Sequence, residues 1–190
     1  MKRVNGRMNK YVQEGYNYGI DYCQQGKVAD YIPELAKGKK EQLGICITDL
    51  EGNQYFAGDV QVKFTIQSIA KVVILATAIA DSGFETVFSR VGMEPTGDPF
   101  NSIVRLESLK RIPQNPMINA GAISTITCVT GKNLEERFLK VLNLARKLFH
   151  NPELDYDANV YLSELGTANR NRALAYMMKS NGVFDGDVEE

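Results

Sequence analysis

Ser68 and Lys71 stand three residues apart in FTIQSIAKV, at the entrance to an apolar run. A serine hydroxyl is a weak nucleophile until a base takes its proton. A lysine in water, with a pKa of ~10.4, is charged at neutral pH and cannot be that base. Burial changes this, because a low-dielectric setting penalises the ammonium and favours the amine. The positive end of a helix dipole acts in the same direction. Lys71 is flanked by Ile69, Ala70, Val72 and Val73, so both effects are available to it. The pair could therefore do acyl transfer: a hydroxyl attacks a carbonyl while a neutral amine collects the proton. The competing reading is plain. S-x-x-K also arises as a surface pair whose lysine stem lies along apolar neighbours and whose head stays in water.

Other chemistries have less to work with. The one histidine, His150, closes an amphipathic stretch, where a cation simply suits a helix C-terminus. One histidine and three scattered cysteines (Cys23, Cys46, Cys128) do not form a metal set, so no metal is expected. The cysteines show no CxxC pairing and fit a reducing, cytoplasmic setting. No P-loop or G-x-G-x-x-G stretch occurs. The net charge of −1 offers no basic field for a nucleic acid. The charged N-terminus MKRVNGRMNKYVQEG runs into no apolar segment of the kind a signal peptide needs. The longest apolar run, Val72 to Ala80 with Thr77 inside it, is far below the ~18 residues of a membrane span.

The elements that must position Ser68 and Lys71 follow from periodicity and punctuation. Residues 5–25 read as a helix with Tyr11, Tyr18 and Tyr22, stopped at Gly26. KVADYIPELAKGKK reads as an irregular connection. Leu43 to Thr48, the turn DLEGN and QYFAGD predict a β-hairpin. Thr65 to Asp81 predicts a helix ending at Gly83. Residues 92–117, with Pro95, Pro99, Pro113 and Pro116, predict a long loop region, which in a compact domain is more often functional than idle. Asn119 to Thr130 stays open between strand and helix: its β-branched residues favour one, its length and Gly131 the other. Asn133 to Phe149 predicts an amphipathic helix, begun by Asn133 and Glu136 as a capping-box pair, with Leu134, Phe138, Val141, Ala145 and Leu148 on one face. Arg170 to Ser180 predicts a last helix, ended by Asn181-Gly182. A two-stranded hairpin is not stable alone, so more sheet is expected than these residues contain.

Five stretches in order then turn the reading: GKVADYIPELA (26–36), FTIQSIAKV (64–72), RVGMEPTGDPFNS (90–102), NPMINAGAI (115–123) and YLSELGTANRNRALAYMMK (161–179). Together they resemble the serine-dependent glutaminase family, from about residue 24 to the end. The resemblance implies an α/β (α+β) fold of the serine β-lactamase and penicillin-binding-protein type, with an antiparallel sheet flanked by helices and a helical subdomain. It implies one catalytic domain over 1–190 that is incomplete at its C-terminal side, since family members run further and carry later strands there. The implied activity is hydrolysis of L-glutamine to L-glutamate and ammonia through a serine acyl-enzyme, without a cofactor, in a homo-oligomer. Ser68 matches the nucleophile, Lys71 the base and Tyr31 a tyrosine that reaches the same site. Gln67 matches a substrate-side neighbour, Asn119 and Asn171 the residues that hold the α-carboxylate side of glutamine, and Glu164 the partner of its α-ammonium. Taken singly, Asn119 could be an N-cap, Glu164 and Asn171 a solvated helix edge or loop residues, and Tyr31 an ordinary half-buried tyrosine. The related S-D-N and K-T-G motifs of β-lactamases are absent. The alternative to an enzyme is a binding or scaffold protein that keeps the fold.

Overall fold

The structure, a computed structural model, describes residues 6–97 and 112–189. The last residues of RVGMEPTGDPFNS, and most of the long loop region expected over 92–117, lie outside them. The chain divides into two compact units, Met1–Thr65 with Ala158–Thr167, and Ile66–Asp157 with Ala168–Glu190.

In the first unit, α1 (Gly6–Ile20) lies against a hairpin of β1 (Gly44–Thr48) and β2 (Gln54–Gly58). The strands are antiparallel with Ile45 opposite Ala57 and Ile47 opposite Tyr55. Alternation then sends Tyr55 and Ala57 into a core with Val12, Met8, Tyr16 and Ile45. The turn is built by Asp49, whose carboxylate accepts from Asn53 N at 2.8 Å and from the Tyr55 hydroxyl at 2.9 Å. Gly58, at φ +74°, sits where a Cβ would fall 2.2 Å from the Leu43 carbonyl oxygen, so only glycine fits. The predicted first helix is α-helical to Ile20 and tightens to a 3-10 turn over Asp21–Gln24. A 3-10 turn at Leu35–Lys37 follows Tyr31, and Glu34 N donates to Ser163 Oγ at 3.1 Å, tying that segment to α6 (Ala158–Thr167).

The second unit holds the remaining helices: α2 (Ala70–Ser82), α3 (Phe84–Arg90), α4 (Asn119–Ile126), α5 (Leu134–Leu148) and α7 (Asn169–Ser180). The expected helix from Thr65 begins later. A 3-10 turn occupies Gln67–Ile69 and the α-helix starts at Ala70, which makes Lys71 its second residue. Gly83, at φ +80°, ends α2 as expected and precedes α3, a helix that the sequence reading left out. The open choice at Asn119 resolves to a helix. Its small residues Ala120, Gly121, Ser124 and Thr125 are buried, and α4 packs on both α2 and α7. Thr125 avoids an unpaired buried hydroxyl by donating back to Gly121 O at 2.8 Å. Leu174 and Met178 of α7 are fully buried beside Ala120, each stabilising by roughly 1.5–3 kcal/mol through lost apolar exposure.

The expected start of α5 is present. Asn133 accepts from Glu136 N at 2.9 Å, and Glu136 returns a carboxylate to Lys132 N. Its apolar face is only partly buried: Ala145 is enclosed, while Leu134 and Leu148 are exposed. After α7, Gly182 N bonds to Lys179 O and Val183 N to Met178 O, a Schellman ending with Gly182 at φ +71°. Glu164 and Asn171 do not share a helix, because the chain breaks at Ala168 between α6 and α7.

The far end of α2 is fastened by Asp81. Its carboxylate accepts from Thr130 N and Oγ1 at 2.9 and 3.0 Å and from Lys140 Nζ at 2.9 Å, and Lys140 also donates to Thr130 Oγ1. These contacts hold the Asp81 carboxyl below its ordinary pKa, with the Lys140 hydrogen bond the largest cause. Thr130→Ala removes the hydroxyl from this cluster and is expected to lower stability by about 1 kcal/mol, since the cluster is part-exposed. Urea denaturation should show a lower midpoint with an unchanged slope.

Candidate active site

Ser68 lies in the 3-10 turn that leads into α2, and Lys71 follows at i+3. On a helix, residues three apart share a face, so this spacing puts the two residues on one side of the helix entrance. Ser68 is exposed and Lys71 half-buried. The Ser68 N–H comes one residue before Ile69 N–H, the group that bonds back to Ile66 O at 3.0 Å. Amides at the start of such a stretch point at whatever anion approaches. Gln67, just before the serine, has φ +46°, a left-handed conformation rare outside glycine and characteristic of functional turns.

The amine of Lys71 is directed to two neutral acceptors. Nζ donates to the Met117 carbonyl at 3.0 Å and to Asn119 Oδ1 at 2.8 Å. Burial pushes the Lys71 pKa below its ordinary value. The two bonds have a further consequence. A neutral amine has two N–H groups and one lone pair, so two acceptors can use both hydrogens without consuming the lone pair. The arrangement is compatible with the amine as well as with the ammonium, which a carboxylate partner would have favoured strongly.

Protonated, Lys71 only donates, and the atom of Asn119 facing it is then the carbonyl oxygen. The amide nitrogen of Asn119 then donates to Asn171 Oδ1 at 3.1 Å, and Asn171 Nδ2 becomes the donor end of the row. α4 supplies Asn119 as its first residue, and α7 supplies Asn171 as its third. The N-cap position of α4 is held by Ile118, so Asn119 is not the cap that the sequence allowed for. Its amide serves the lysine and the second asparagine instead.

Of the residues singled out from the sequence, the second unit brings together Lys71, Asn119 and Asn171 by direct bonds, with Gln67 and Ser68 in the adjoining turn. Tyr31 and Glu164 belong to the first unit, both exposed, on segments tied by the Glu34–Ser163 bond. His150 follows α5 in a left-handed conformation at φ +48°. Sequence reasoning missed the Met117 carbonyl, a backbone acceptor that leaves no side-chain signature, and Asn115, which shapes the turn before α4. An Asn-Pro pair is a turn signal that could have pointed to the latter.

Among the described residues, no cluster of His, Cys, Asp and Glu could hold a metal ion, and no helix is long and apolar enough to cross a membrane. Comparison with known proteins gives one family. The glutaminase family model matches residues 26–190. A glutaminase of Clostridium botulinum (strain Loch Maree / Type A3) is 51% identical over 184 residues, 96% of this chain and 60% of the relative. The fold matches a probable glutaminase, YbaS, with a TM-score of 0.89 at 34% identity, over 97% of this chain and 59% of that one. It also matches the Bacillus subtilis glutaminase YbgJ, with a TM-score of 0.80 at 32% identity, over 96% of this chain and 56% of that one. That structure is a covalent complex with 5-oxo-L-norleucine, formed by reaction with 6-diazo-5-oxo-L-norleucine. This chain thus spans about three fifths of the length of the curated relatives it matches. The α+β architecture is that of glutaminases of the β-lactamase-like fold. On the match over 26–190 and on half-identity to named members, the chain belongs to the glutaminase family.

Proposed function

We propose that the protein hydrolyses L-glutamine to L-glutamate and ammonia through an acyl-enzyme on Ser68. The observation that carries this is the half-buried Lys71 amine, three residues after the serine at the entrance to α2 and donating to two uncharged acceptors. Lys71 in its neutral form takes the proton of Ser68 as the oxygen attacks the side-chain carbonyl carbon of glutamine. The carbonyl oxygen becomes an oxyanion, for which the Ser68 N–H is one donor. Lys71 returns the proton to the leaving nitrogen, ammonia departs, and water then cleaves the ester to release glutamate.

The chemistry of a relative's inhibitor supports this choice. 5-Oxo-L-norleucine is glutamine with a carbon in place of the side-chain amide nitrogen, and it is bonded covalently in the YbgJ structure. A family member therefore presents a nucleophile to the atoms at which glutamine hydrolysis occurs. At the amino acid end, the substrate carries a cation and an anion a few ångströms apart, and so needs a carboxylate and donors. Asn171 Nδ2 is such a donor, on the row that begins at Lys71. Glu164 supplies the carboxylate for the α-ammonium, and Tyr31 and Gln67 are the remaining contacts. A cytoplasmic homo-oligomer is part of the same reading, to which three free cysteines are suited.

Three outcomes are expected. Purified protein should release ammonia from glutamine, with Ser68→Ala and Lys71→Ala each reduced to background; equal release from all three would indicate a non-catalytic scaffold. The rate constant kcat/KM should rise with pH as Lys71 sheds its proton, and Asn119→Asp, which sets a carboxylate against the ammonium, should move that limb to higher pH. A limb unmoved in this variant would show that another group titrates. Glu164→Gln should raise KM about tenfold or more while kcat changes less, since a charge-assisted bond is roughly 1.5–3 kcal/mol; an unchanged KM would take Glu164 off the substrate.

A further inference from the structure

Both acceptors of Lys71 lie on one short segment, residues 117–119, and something must hold that segment against α2. Asn115 is placed to do so. Its Oδ1 accepts from Met117 N at 3.0 Å and from Ile118 N at 3.3 Å, an Asx turn that bends the chain ahead of α4. Its Nδ2 donates to Glu94 O at 2.9 Å. The same side chain thus fixes the turn and ties it to the 92–94 segment, which also bonds through Gly92 N to Pro113 O and Glu94 N to Gln114 O. From the other side, Gly121 of α4 is pressed against Asn115: a Cβ at Gly121 would sit 1.8 Å from the Asn115 carbonyl oxygen. Asn115 touches neither Ser68 nor Lys71 in any of these bonds, and its reach is entirely to backbone.

We propose that Asn115 is a positioning residue for the Ser68–Lys71 pair, fixing the Met117 carbonyl and the Asn119 amide on the lysine amine. The proposal rests on Lys71 being the base, but it concerns where the amine is held. Loss of the Asx turn frees Met117 and Ile118 N–H, lets the segment swing, and gives water access to an amine now half-buried. The helices of the second unit carry the following charged groups. α4 carries no ionisable side chain, and on α2 the other one, Asp81, is at the opposite end in its cluster with Lys140 of α5. The rest of α5's charges begin at Glu135 and Glu136 at its own start. α3 contributes Glu85 and Arg90, and on α7 Arg170 and Arg172 flank Asn171. Glu94 lies on the segment that Asn115 grips through its carbonyl.

The test follows Lys71 itself. The chain is labelled with carbon-13 at lysine Cε, the Lys71 signal is identified by its absence from Lys71→Arg, and its titration is followed by NMR. In wild type Lys71 should titrate below the exposed lysines. In Asn115→Ala it should move up toward them, and Asn115→Ser, which keeps a short uncharged acceptor for the turn, should restore most of the difference. Thr130→Ala loosens the same unit at the far end of α2 and should leave the Lys71 titration where it was. Where turnover is measured, Asn115→Ala should lower kcat by ~10–100-fold with KM held within about twofold, as for a misplaced catalytic group. An unmoved Lys71 in both Asn115 variants, or an equal movement in Thr130→Ala, overturns the proposal. A protein that hydrolyses no glutamine would sink the functional reading alone, because the titration is read without substrate.

Discussion

A half-buried lysine amine that donates to a backbone carbonyl and to a side-chain amide oxygen is the constraint around which the second unit is arranged. An ammonium buried without a counter-charge is costly, and a protein ordinarily lowers that cost by supplying a carboxylate or by releasing the proton. Here the two acceptors are a backbone carbonyl and a side-chain amide. Neither of these two acceptors carries a charge that would anchor the ammonium. The α-helix starts only at Ala70, so Lys71 also lies where the helix dipole opposes a cation. Burial, dipole and neutral partners act in one direction.

That constraint explains the composition of α4. For residues 117–119 to reach Lys71, α4 must run close to α2, and close approach requires small side chains. Ala120, Gly121, Ser124 and Thr125 are the buried positions, and at Gly121 no other residue fits against the Asn115 backbone. α4 also meets α7 through Ala120, Leu174 and Met178, and this places Asn171 within reach of Asn119. One thin helix, packed on two sides, thus sets the whole row from lysine to the second asparagine.

Local features of the structure were legible in the sequence, and features settled by packing were not. The hairpin, the Asn133 cap and the glycine ending of α7 depend on residues within a turn of one another, and each was expected where it is found. The S-x-x-K spacing and the order of five motifs pointed to the family before any geometry. By contrast, the β-branched residues of 119–130 left helix and strand open, because intrinsic preference is weak beside the close packing that decides this segment. α3 and α6 were left unassigned: FETVFSR is short and poor in strong helix formers, and YLSELGT carries a glycine and a threonine. A positive φ at Gln67 has no signature in the residue itself. The Met117 carbonyl had none either, since every residue carries one.

The asymmetry of asparagine ties these points together. A carboxylate in place of Asn119 could accept from Lys71, but it could not also donate to Asn171, and its charge would hold the lysine in the protonated state. A hydroxyl could do both in principle, but it is too short to span two helices. An amide alone offers a neutral acceptor at one end and a donor at the other, at fixed separation. Because Lys71 dictates which end faces it, the direction of the row is set from the lysine outward, and Asn171 is left presenting hydrogen rather than oxygen. A site built to receive a carboxylate needs donors at that end. Under the proposed function, Asn119 is therefore both a neutral partner of the base and the residue that orients the donor for the substrate's anion.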